Sequence, residues 1–198
     1  MSSYRHYKLT EETMTLDKTV LHRIQALRDI PRAMVRVGDL GGWIEREENL
    51  SDSGWVDGEA KVYGDARVSE DAQVYGYAEV YGSAKVYGSA RVFGYARVFE
   101  SAEVYGDARV YGDPWVYGEA RVFGYARVYG DARVYDFRKV YGSDEVYNNA
   151  QSLKQEPGPA PTERSTERSE STDSSLPKLP KISIEFVDGV VKIAIGLK

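Results

Sequence analysis

The chain contains no cysteine, which removes disulfide staples, thiolate metal ligands and a cysteine nucleophile together. Nowhere do about 18 apolar residues run together, the length that marks a membrane helix. The opening MSSYRHYKLT also lacks the apolar core of a secretory signal. These absences predict a cytoplasmic protein without a membrane segment. Histidine occurs only at His6 and His22, both ahead of the repetitive part of the chain. Ser-His-Asp, phosphate-loop and metal-ligand spacings are all missing, so neither a metal nor a cofactor is expected. A net charge of −5 supplies no overall positive field to draw nucleic acid.

What is present in excess is tyrosine, 16 residues of it, and a repeat accounts for most of them. Valine recurs at every sixth position from Val56 through Val92 and Val128 to Val146, with Ile44 and Leu50 extending the register backwards. A small residue stands two positions earlier, as at Ala60, Ala90 and Ala126. The phrase is Ala-x-Val-(Tyr/Phe)-Gly-x, running from about Gly42 to about Asn149. A six-residue step does not fit a helix, because it advances about 600° and carries successive valines around the surface. On a strand, Ala and Val lie two apart and face the same way, while the residue between them and the aromatic face outward. A strand of three or four residues and a glycine turn use up the six. Three strands make one triangular coil, and coils stack at the roughly 4.8 Å strand spacing. Residues 42–150 then form a parallel β-helix of about six coils, roughly 29 Å long.

Val-Tyr-Gly-Asp-Ala-Arg resembles the aliphatic-x-x-x-small-x signature of left-handed β-helices, the LpxA-like hexapeptide-repeat superfamily. YKLTEETMTLDKTVLHRIQALRDI, VGDLGGWIE and the GDARVYG repeats together resemble YdcK-like and phage-borne hexapeptide-repeat proteins. The resemblance spans about residues 4 to 150. It implies a left-handed coil and a phage or prophage setting. It also implies homo-oligomers, commonly trimers, and in many members acyl-CoA-dependent acyl transfer with a histidine base on the helix.

Both ends of such a rod expose strand edges. The runs YRHYKLT and TVLHRIQAL predict a β cap over residues 1–41, entered through GDLGG. At the far end Arg138 and Asp144 replace the small residue. Unpaired charges cannot enter a narrow core, so the last coil is expected to loosen. Residues 151–180 are rich in Pro, Ser, Thr and charge, and predict a disordered linker. Residues 181–198 alternate around Asp188-Gly189, the signature of a β-hairpin. A lone hairpin is marginal in water, so this one is expected to dock on its own rod, on its copies or on a protein partner.

Catalysis is not expected. The repeat has no histidine to serve as a base near neutrality, and no hexad carries an inserted loop to wall off a pocket. Exposed turn acids such as Asp65, Asp107 and Asp131 are explained by turn chemistry. The expected role is a rigid scaffold or binding module, with acyl-CoA entering only under the acyltransferase alternative. Outward residues one coil apart should stack in columns. One column reads Gln73, Arg91, Arg109, Arg127, Glu145, beside the aromatics Phe93, Tyr111 and Tyr129. Two uses of that pair of ladders stay open. It can read an anionic planar ligand or single-stranded nucleic acid, or it can simply tie neighbouring coils together. Trp43 and Trp115 fall in a second column and are assigned to an oligomer or partner contact.

Overall fold

The computed structural model describes residues 5–148 and the backbone of strands 181–187 and 190–196. The chain divides into two units, Met1–Glu156 and Pro157–Lys198. The first is an all-β parallel solenoid of about six turns, with helix among the described residues limited to two short 3-10 segments, Pro31–Ala33 and Glu47–Asn49.

The hexad dictates this architecture directly. Every repeat valine from Val56 to Val140 is fully buried, and so are the alanines from Ala60 to Ala132. Removing each valine side chain from water stabilises the rod by about 1.5–3 kcal/mol. The alanine two residues earlier is small enough to let three chain segments close around one narrow core. Backbone bonds then run from coil to coil. Arg97 N–H donates to the Pro114 carbonyl at 2.9 Å and Phe99 N–H to that of Val116 at 3.0 Å. The turn joins in, with Tyr95 N–H donating to Gly112 at 2.7 Å.

The strands form three faces. The first consists of β1 (Tyr7–Leu16), β2 (Thr19–Ala26) and β3 (Leu40–Ile44), followed by the two-residue strands at Lys61, Glu79, Arg97, Trp115 and Arg133. The second holds the strands at Arg67, Lys85, Glu103, Arg121 and Lys139. The third holds those at Trp55, Gln73, Arg91, Arg109, Arg127 and Glu145. Most strands are two residues long, shorter than the hexad suggests. Only the third face lengthens to four, at Arg91–Gly94, Arg109–Gly112 and Arg127–Gly130.

At the N-terminal end β1 and β2 pair antiparallel, and β2 pairs antiparallel with β3, His22 opposite Ile44. The hairpin therefore continues the first face and covers the edge of β3. Leu21 and Ile24 of β2 are fully buried. Tyr7 donates its hydroxyl to the Glu47 and Leu50 carbonyls at 3.0 and 3.1 Å, and burial pushes its pKa up to about 12.

The last coil does not loosen. Val140 is fully buried and Val146 is 5% exposed, and the carbonyls of Arg138 and Asp144 accept from Arg121 and Arg127 at 2.8 Å. The backbone bonds do not depend on the side chain at that position. Arg138 places its guanidinium over the Tyr135 ring at 4.3 Å, half-buried, so the charge never enters the core.

In the second unit Lys181–Val187 and Val190–Gly196 pair antiparallel, with Ile184 opposite Ile193. The linker read at 151–180 and the Asp188-Gly189 turn lie outside the described residues.

Candidate binding face

Outward side chains repeat at the coil spacing, so each face is a set of vertical columns and its chemistry depends on the order of charges within a column. On the first face Glu79 takes Lys61 at 3.3 Å and Arg97 at 3.7 Å. On the second Glu103 takes Lys85 at 3.3 Å and Arg121 at 3.5 Å. In each case one carboxylate sits between two cations and interrupts the run of positive charge.

The third face breaks that pattern. Arg91, Arg109 and Arg127 stand in register on three successive coils. Arg127 is paired with Glu145 at 2.9 Å. Arg91 and Arg109 are exposed and form no ion pair among the described residues. The N-terminal end of this column is closed by the 31–33 turn. Its Arg32 carbonyl accepts from Gln73 at 2.9 Å, and the Arg32 guanidinium reaches Asp71 at 3.2 Å and Ser89 at 3.3 Å.

Beside the arginines the aromatic column stacks ring on ring. Tyr75 and Phe93 lie 4.7 Å apart at 3°, Phe93 and Tyr111 5.1 Å at 6°, Tyr111 and Tyr129 5.3 Å at 6°. Both faces of Phe93 and Tyr111 are thus spent on neighbouring rings, and only edges and hydroxyls look outward. The structure brings all six residues together on one face, yet leaves neither face of Phe93 or Tyr111 open for a planar ligand. Burial pushes the Tyr75 hydroxyl pKa up while Arg91 and Arg109 act against it, so the group keeps its proton.

The YdcK β-solenoid repeat family matches residues 60–76, about one coil of this ladder. The chain is a β-helix repeat protein, and its repeat is similar to the YdcK type over those residues. No curated protein matches it.

In this rod Trp43 and Trp115 share the first face, but neither offers a free ring. Trp43 is only 6% exposed, lying under the Arg23 guanidinium at 5.0 Å and donating its indole N–H to Glu59 at 3.2 Å. Trp115 is held between Arg97 at 5.3 Å and Arg133 at 5.1 Å. Sequence reasoning passed over Trp55, which is 2% exposed beneath the cap and near the His6 ring.

His6 in the cap is 3% exposed, with Nε2–H donating to the Gly54 carbonyl at 2.8 Å. Burial holds its pKa below the usual 6.5, against the pull of that hydrogen bond. An open pocket of about 300 Å³ beside Arg46, Asn49, Asp65 and Arg67 is structural in character. Asn49 there is tied to the Gly64 and Ala66 carbonyls, and Arg46 to Asp65. Among the described residues no cluster of His, Asp and Glu is arranged to hold a metal ion, and no helix is long and apolar enough to cross a membrane.

Proposed function

We propose that this rod is a non-catalytic scaffold that holds an anionic macromolecular partner along its third face. The observation that carries the reading is the difference between columns. Glu79 and Glu103 each pair with the cations on either side and interrupt the first and second columns, whereas Arg91 and Arg109 follow one another directly and form no ion pair among the described residues. Like charges stacked one coil apart destabilise a column slightly, so an unneutralised pair is costly unless an external anion offsets it. Rigidity suits the role, because each coil is bonded to the next around its whole perimeter and presents the guanidinium groups at a fixed period. Partner capture by the 181–198 hairpin remains compatible with this scaffold role.

The test compares two triple variants of the full chain. Arg91→Ser, Arg109→Ser and Arg127→Ser together should abolish a salt-sensitive association with polyanions. Arg97→Ser, Arg121→Ser and Arg133→Ser remove the same charge from the other faces and should leave it largely intact. Equal losses from both variants would reduce the effect to net charge and sink the assignment of a face.

A further inference from the structure

The composition of the third face narrows the class of anion. Single-stranded nucleic acid is ordinarily held by bases stacked on aromatic faces, and here those faces are closed by the rings of adjacent coils at 4.7–5.3 Å. What the aromatic column presents instead is a row of edges and phenol hydroxyls. The Tyr75 and Tyr111 hydroxyls form no hydrogen bond among the described residues, and the Tyr129 hydroxyl has only a 3.5 Å approach to Glu145. The arginine column is single file and short, bounded by the Arg32 turn at one end and Glu145 at the other. Exposed carboxylates flank it at both corners, Asp107 two residues before Arg109, and Asp113 and Asp131 beyond the aromatics. These offer nothing to a chain that brings no hydrogen-bond donors of its own. They serve as acceptors for a chain whose charges are separated by hydroxyl groups.

Resting on the binding-face reading above, we infer that the third face binds an acidic polysaccharide, a polymer of sugar carboxylates laid along the rod axis. The guanidinium forks of Arg91 and Arg109 take carboxylates bidentately, and Arg127, paired with Glu145, adds its charge at the end of the column. The hydroxyls of Tyr111 and Tyr129 and the corner carboxylates hydrogen-bond the sugar hydroxyls between them. An extended sugar chain advances by close to one coil spacing per ring, so neither partner has to bend to keep register.

The full chain would be titrated with polygalacturonate, poly(dT) and polyglutamate of matched length at low and physiological salt. Polygalacturonate should bind at least tenfold more tightly than the other two, and the Arg91→Ser, Arg109→Ser, Arg127→Ser variant should lose at least tenfold. Tyr111→Phe with Tyr129→Phe should weaken polygalacturonate several-fold and leave polyglutamate unchanged. Those substitutions keep the stack, since Phe93 already occupies the same column. If poly(dT) or polyglutamate binds as tightly through the same arginines, the polysaccharide inference falls and the binding face stands. Selective binding that ignores the tyrosine changes overturns it as well. Absence of arginine-dependent binding to all three polymers overturns both readings.

Discussion

Single residues in this rod are set by the backbone position they fill. Most turns place glycine in the left-handed region, but Asp52, Glu70, Glu100 and Asp136 occupy it at φ 55–58°. A side chain there costs about 1–2 kcal/mol. Two of them offset part of it by capping the equivalent amide one coil on: Glu100 accepts from Gly118 N–H at 2.8 Å, and Asp52 from Glu70 N–H at 3.3 Å. His6 illustrates a second constraint, burial in the neutral form. Because its folded pKa is depressed below 6.5, its contribution is intact above that value and declines as pH falls toward the folded pKa, where the unfolded chain takes the proton first. Thermal melts from pH 8 to 5 should therefore show stability dropping below about pH 6.5. In His6→Gln, which cannot take up a proton, the drop through that window should be shallower. Parallel profiles for the two proteins would remove His6 from the account.

At the scale of the coil, the limiting dimension is the distance between stacked turns. A Cβ added to Gly88 (φ 74°) would lie 2.7 Å from the Gly106 amide nitrogen and 3.0 Å from its carbonyl oxygen. Gly142, at φ 61°, has nothing within 4 Å of the same point. Gly142→Ala should cost about 1 kcal/mol, the left-handed strain alone. Gly88→Ala should cost at least twice that, since backbone must shift against backbone. Chemical denaturation of the two variants checks the ratio, and equal losses would mean that turn stacking contributes little. The valine columns could be read directly from the sequence, because a six-residue step with a small residue two positions earlier is compatible with stacked short strands and not with a helix. The lengthening of the third-face strands could not, since Arg91–Gly94 has the same hexad letters as its two-residue neighbours.

For the whole molecule, the decisive feature is what happens to unpaired edges. The cap extends the first face as an antiparallel hairpin and adds Ile24 to the core of the rod. Deleting residues 1–28 would expose the edge of β3 together with Ile44 and Trp43. Light scattering should then show concentration-dependent association of a chain that is otherwise uniform in size. A truncated protein that keeps the size distribution of the full chain would assign the cap a role other than edge protection. The same cap accounts for the buried state of His6, Trp43 and Trp55. It accounts too for the closing of the arginine column by Arg32, so the boundary of the candidate binding face is set by a segment outside the repeat.

By itself the sequence determined the register: which residues point inward, which share a column, and that Arg91, Arg109 and Arg127 follow one another without an acid between them. Periodicity suffices there, because residue spacing maps directly onto position in a stacked coil. Only the tertiary structure decided what those columns have left to offer. Ring stacking between coils closed the faces of Phe93 and Tyr111, and cation contacts from Arg97 and Arg133 closed those of Trp115. The cap buried Trp43 and His6, and Arg138 turned out of the core without disturbing the ladder. Apart from the local contact of Arg138 with Tyr135, these outcomes depend on side-chain packing between segments on different coils or between the cap and the rod, and the hexad pattern constrains where a side chain starts but not what it ends against.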